Sequence, residues 1–122
     1  FPRATLCPDG VYAAARLVKM AAEGPISSAL RAIARYPTIR GAFVYEASRR
    51  EAIEPRLDAA LRTLGADITR VDGWRLAWDD GWALVRFSGT EPKIRVLAES
   101  RDEARAKAIY STVLSSAQGA AT

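Results

Sequence analysis

The sequence predicts an α+β fold: one antiparallel sheet with helices on one face, preceded by two helices with no strands of their own to cover. Three observations predict it. From residue 42 the patterns read strand, helix, four strands, helix, and clustered strands flanked by helices form a sheet covered on one side. The runs on either side of residues 88–92 alternate with period two, as strands with one packed face do. Residues 11–36, by contrast, carry apolar side chains at helical spacing only.

Composition sets the limits. A chain of 122 residues, 49% of them hydrophobic, is one domain or one domain plus a piece of another. The net charge of +4 suits nucleic acid, an acidic surface or a phosphorylated small molecule, but the basic residues are scattered. One cysteine, Cys7, forms no internal disulfide, which with the absence of a signal peptide points to a reducing cytoplasm. With no histidine, zinc sites and triads that need an imidazole base are excluded. No stretch is long and apolar enough to be a membrane span. The chain opens at Phe1-Pro2 rather than at methionine, which reads as a fragment or a processed product.

The elements follow in order. Cys7-Pro8-Asp9-Gly10 is a loop in which Asp9 caps a helix over 11–23, with Val11, Ala14, Ala15, Val18 and Ala22 on one stripe. Gly24-Pro25 stops it, glycine supplying a left-handed turn. Ser27 caps a second helix with Leu30, Ile33 and Ala34 inward, ended by Tyr36-Pro37. These two helices are the tail of an upstream domain or an appended arm, so the boundary falls between 1–38 and 39–122, with 38–41 a linker. A strand at 42–45 leads to Ser48-Arg49-Arg50-Glu51, a capping box, and to Ile53, Leu57, Ala60, Leu61 and Leu64 at helical spacing before Gly65. Pro55 means that this helix starts near Glu54 or kinks there. Residues 66–71 form a weak strand. Trp74, Leu76 and Trp78 alternate in the next, and Asp79-Asp80-Gly81 turns into 82–87. Residues 93–99 form the last strand, and Ser100-Arg101-Asp102-Glu103 caps a helix to about residue 116 with a frayed tail at 118–122.

The loop between the last two strands carries the chemistry. Along 82–87, Trp82, Leu84 and Arg86 share one side and Ala83, Val85 and Phe87 the other. Along the next strand Lys93, Arg95 and Leu97 share a face. Arg86 and Arg95 thus flank Ser88, Gly89 and Thr90. Hydroxyls, exposed amides at a glycine and two planar guanidinium forks suit a dianion. Serine, glycine and threonine are also ordinary turn residues, so a plain hairpin turn between solvated arginines accounts for the same residues. A strand follows the loop, unlike the lysine and helix of a Walker loop.

Arg86-x-Ser88-Gly89-Thr90-Glu91-Pro92-Lys93-Ile94-Arg95-Val96, preceded by Asp72-Gly73 and Trp82-Ala83-Leu84-Val85, resembles the C-terminal domain of the α-D-phosphohexomutases. That family includes phosphoglucomutase, phosphomannomutase and phosphoglucosamine mutase. Upstream, Phe1-Pro2, Cys7-Pro8-Asp9-Gly10, Gly24-Pro25-Ile26-Ser27 and Tyr36-Pro37-Thr38-Ile39 resemble the end of the family's third domain. The resemblance implies a TATA-box-binding-protein-like sheet. It also implies that Arg86, Ser88, Gly89 and Thr90 hold the phosphate of a phosphorylated hexose, with Arg95 in support. Phe87 departs from the proline common there.

What the family adds elsewhere is missing. Its phosphoserine, its Asp-x-Asp-x-Asp magnesium loop and its sugar-specificity loop do not occur here, and Asp79-Asp80 reads as turn chemistry. The resemblance therefore implies Mg2+ in the full-length enzyme but none on this chain, and a substrate-clamping piece, inactive alone, of an enzyme that interconverts hexose 1- and 6-phosphates. Its partners are then the phosphosugar and the missing domains, not a membrane or nucleic acid. Trp74, Trp78 and Trp82 read as packing, and Arg49-Arg50 as solvated or as anion-steering. The alternative is a standalone basic module that binds nucleic acid or another anionic partner through its sheet.

Overall fold

In the computed structural model, which describes residues 9–31 and 33–122, Asp9 caps the first helix as expected. Its Oδ1 accepts from the Tyr12 N–H at 2.9 Å, opening α1 (Gly10–Glu23). The expectations placed on Phe1, Pro2, Cys7 and Pro8 lie outside the described residues. α1 ends where the Gly24 N–H donates to the Met20 carbonyl, but Gly24 has φ 163 and ψ 179. That is extended backbone, not the left-handed turn expected. The next helix, α2 (Ile26–Arg31), begins ahead of Ser27, so this serine does not cap it. Its first turn opens on Pro25 instead, whose carbonyl accepts from the Ser28 N–H. α2 also stops well short of Tyr36, and Leu30 and Ile33 are exposed rather than inward.

The chain divides into two compact units, Phe1–Arg35 and Tyr36–Thr122. In the second, β1 (Thr38–Val44) occupies the stretch expected to be a linker. It pairs antiparallel with β5 (Lys93–Ser100), from Thr38↔Glu99 to Val44↔Lys93. Ile39, Gly41 and Phe43 turn inward while Thr38, Arg40, Ala42 and Val44 face out. A glycine at an inward position and an arginine at an outward one hide that alternation from a hydropathy reading.

A 3₁₀ turn at Ala47–Arg49 runs into α3 (Arg50–Arg62). Its expected capping box is not made: the Ser48 hydroxyl donates to the Glu46 carboxylate, and the N-cap residue Arg49 makes no side-chain capping bond. Pro55 lies inside α3, where it gives up the bond that an amide would make to the Glu51 carbonyl. Ile53, Leu57 and Leu61 are nonetheless fully buried on one stripe.

β2 (Asp67–Arg70), β3 (Trp74–Trp78) and β4 (Gly81–Phe87) follow, then β5 and α4 (Glu103–Ala121). The five strands form one antiparallel sheet in the order β1-β5-β4-β3-β2, the α+β arrangement predicted. The core lies between one sheet face and the two helices. Trp74, Leu76, Ala83, Val85, Ile94, Val96 and Ala98 meet the α3 stripe and Ile109, Val113, Ala117 and Ala120 of α4. Burial of Ala117 and Ala120 explains why α4 runs on through the tail expected to fray. The cap of α4 is Asp102, which accepts from the Arg105 N–H at 2.8 Å. Ser100 is instead drawn into β5, and its hydroxyl donates to the Asp80 carbonyl at 2.6 Å. Arg105 grips the Asp80 carboxylate with two bonds at 2.7 and 3.0 Å, pinning the β3–β4 turn to α4. The opposite sheet face carries Arg40, Arg75, Leu84, Arg86, Arg95 and Leu97, with neither helix over it. Among the described residues no helix is long and apolar enough to cross a membrane.

Candidate functional site

The β4–β5 ladder holds register from Gly81↔Ser100 to Phe87↔Ile94 and then opens into the loop 88–92. Backbone bonds fix that loop at three points. The Ser88 N–H donates to the Lys93 carbonyl at 2.8 Å, the Lys93 N–H to the Glu91 carbonyl at 2.8 Å, and the Tyr45 N–H to the Pro92 carbonyl at 3.1 Å. Ser88 is buried at the loop's base, while Gly89 and Thr90 are exposed at its tip and make no hydrogen bond among the described residues. Among the described residues, no atom other than those of Gly89 and its two chain neighbours stands within 4 Å of the place a Gly89 Cβ would occupy. The tip therefore offers two amides, a hydroxyl and open space.

Arg86 and Arg95 are direct cross-strand partners on the outer face, as period two requires. Two like charges so opposed disfavour the pairing unless anions answer them. Here the Asp72 carboxylate takes a bond from Arg86 at 2.8 Å, and Glu91 lies 3.9 Å from Arg95 and 3.0 Å from Lys93. The Lys93 ammonium, through its hydrogen bond first and its charge second, holds the Glu91 carboxyl below its ordinary range. Asp72 reaches Arg86 because the β2–β3 turn sits hard against β4. Gly73 has φ 97, and a Cβ there would strike the Val85 carbonyl oxygen and Arg86 Cβ.

These side chains line a cavity of about 650 Å3 on the outer face, with Arg40, Arg86, Lys93 and Arg95 against Asp72 and Glu91. Four cations to two carboxylates leave it net positive. Ser88, Gly89 and Thr90 line a second, more open cavity of about 290 Å3 with Tyr45, Ala47 and Arg50. The five residues singled out in the sequence thus fall into two groups, Arg86 with Arg95 and Ser88 with Gly89 and Thr90. Glu91 lines both cavities. Asp72 and Arg40 were missed as site residues. The alternation of β1 holds the signal for Arg40 once its start at Thr38 is known, but Asp72 comes to Arg86 only through the turn. Of the tryptophans, Trp74 and Trp78 pack in the core. Trp82 lies on the outer face, donating to Glu99 at 3.1 Å beneath Arg75.

Residues 44–115 match the family described as "Phosphoglucomutase/phosphomannomutase, C-terminal domain". A "Probable phosphoglucosamine mutase" of Methanocella arvoryzae is 41% identical over 112 residues, covering 91% of this chain and 26% of that protein. One from Methanosarcina barkeri is 41% identical over 102 residues, covering 84% and 23%. The chain therefore spans about a quarter of the length of the relatives it matches. Among solved structures, a phosphoglucomutase/phosphomannomutase family protein from Burkholderia thailandensis superposes with a TM-score of 0.71 at 24% identity. That match covers 92% of this chain and 24% of the other, and it carries the fold alone.

Proposed function

The chain belongs to the phosphoglucomutase/phosphomannomutase family, and on that premise we propose that its Tyr36–Thr122 unit clamps the phosphate group of a phosphorylated hexose. The observation that carries the reading is the β4–β5 loop, whose tip amides have no partner among the described residues and stand beside a net-positive cavity. The Ser88 and Thr90 hydroxyls and the Gly89 and Thr90 amides would donate to phosphate oxygens. Arg86 would add its guanidinium fork, since its bond to Asp72 uses one of five N–H donors, and Arg95 would support it from the facing strand. Bonds of this charge-assisted kind contribute about 1.5–3 kcal/mol each, so three or four hold a phosphosugar at useful affinity.

In this reading the chain is one part of a longer enzyme that interconverts hexose 1- and 6-phosphates in the cytoplasm. Its contribution is to orient the sugar and keep water out while the transfer proceeds elsewhere. Mg2+ would neutralise charge on the transferring phosphate. We assign that ion and the phosphoserine to the rest of the longer protein, a reading supported by the sequence, which has no Asp-x-Asp-x-Asp run. The relatives' names make a glucosamine phosphate the first ligand to try.

Calorimetric titration with glucosamine, glucose and mannose phosphates tests the proposal, with a DNA oligonucleotide alongside. Millimolar binding of a phosphosugar is expected, because this chain supplies only part of the contact. Arg86→Ala should weaken it at least tenfold without moving the melting temperature. Equal binding by Arg86→Ala, or binding of the oligonucleotide in place of the phosphosugars, would overturn the reading.

A further inference from the structure

The cavity on the helix side of the loop contains a cation that the clamp described above does not use. Arg50 opens α3, and its guanidinium carbon stands 4.7 Å from the centroid of the Phe87 ring. That ring is itself held in place, edge-on to Tyr45 at 5.3 Å and tilted against Trp74 at 6.0 Å. A guanidinium stacked on an aromatic face keeps its plane fixed while its edge donors stay free. Arg50 lines the same open cavity as Ser88, Gly89 and Thr90. Among the described residues it has no carboxylate in ion-pairing range, whereas Arg86, Lys93 and Arg95 each have one. An arginine already answered by a carboxylate gives a new anion less than one that is not.

We propose that Arg50 is a further ligand of the clamped phosphate, seated by Phe87 so that the anion is gripped from the helix side as well as from the outer sheet face. This rests on the phosphate-clamp reading and adds a residue to it. Phe87 is then a positioning residue: its side chain points away from the ligand but sets where the guanidinium stands. The neighbour Arg49 supplies the control. It carries the same charge one residue earlier, but its guanidinium donates to the Thr122 carbonyl at 2.7 Å and does not line the cavity.

The test titrates the 122-residue chain with glucosamine 6-phosphate and with inorganic phosphate, following loop amides and arginine Nε resonances by NMR. In the unsubstituted chain the Arg50 Nε signal should shift together with the Gly89 and Thr90 amides. Arg50→Gln should weaken binding about tenfold, the loss of one charge-assisted bond. Arg50→Lys should recover part of that loss, and Arg49→Gln should stay within about twofold of the unsubstituted chain. Phe87→Leu should broaden or move the Arg50 Nε signal and weaken binding several-fold while the amide spectrum stays folded. Loop amides that shift while Arg50→Gln binds as tightly as the unsubstituted chain would overturn this proposal and leave the clamp standing. So would equal losses in Arg49→Gln and Arg50→Gln, which would reduce the effect to net charge. Loop amides that fail to respond to either ligand would remove the clamp reading and this one with it.

Discussion

Gly73 decides where Arg86 can be held. Its positive φ and its contact with the β4 backbone put Asp72 in reach of the guanidinium, and neither condition tolerates a side chain. Gly73→Ala should cost at least about 2 kcal/mol, strain and clash together, and urea unfolding at pH 7 reads it directly. A second residue-scale prediction concerns Asp58, which accepts from Arg62 at 2.6 Å and from Trp74 Nε1 at 2.8 Å. Arg62 first, then the indole N–H, hold this carboxyl below its ordinary value of 3.8. A depressed carboxyl contributes stability that is present above that unfolded value and is lost as pH falls through the folded value. Asp58→Asn should therefore flatten the fall of melting temperature on acidification below about pH 4. An unchanged acid limb would show the bond to be idle. At this scale the outward placing of Arg86 and Arg95 was legible, because period two allows no other arrangement. The Arg50–Phe87 stack was not, since residues that far apart meet only through the packing of α3 on the sheet.

At the scale of elements, two serine capping boxes were expected and neither formed. Ser48 turns back to Glu46, and Ser100 is captured by the sheet and the β3–β4 turn, leaving Asp102 to cap α4. Local propensity names the residues able to cap, and tertiary bonds choose among them. Asp102→Ala should thus cost about 1 kcal/mol, while Ser48→Ala should stay within about 0.5 kcal/mol. Thermal unfolding of the two variants side by side checks this. The strands on each side of the loop were legible because their alternation is unbroken. β1 was half hidden, because Gly41 gives its inward row no hydrophobic signal where Tyr110 packs over it. The helix over 50–62 was legible in spite of Pro55, its buried stripe of Ile53, Leu57 and Leu61 outweighing one lost bond.

For the molecule as a whole, every residue of the candidate site lies in the Tyr36–Thr122 unit, whose sheet and two helices share one core. The sheet presents the strand arginines outward, the loop stands at the end of β4, and α3 brings Arg50 to the loop's other side. The family resemblance was legible because the loop's residues are contiguous. The division of the site into two cavities that share Glu91 was not, because it depends on which face each side chain leaves. The central claim is that this loop grips phosphate, and the most direct measurement is the amide spectrum of the chain during addition of glucosamine 6-phosphate. The expected result is a saturable shift of the Ser88, Gly89 and Thr90 amides that Arg86→Ala suppresses. Unmoved loop amides, with shifts confined to the outer sheet face when an oligonucleotide is added instead, would contradict it.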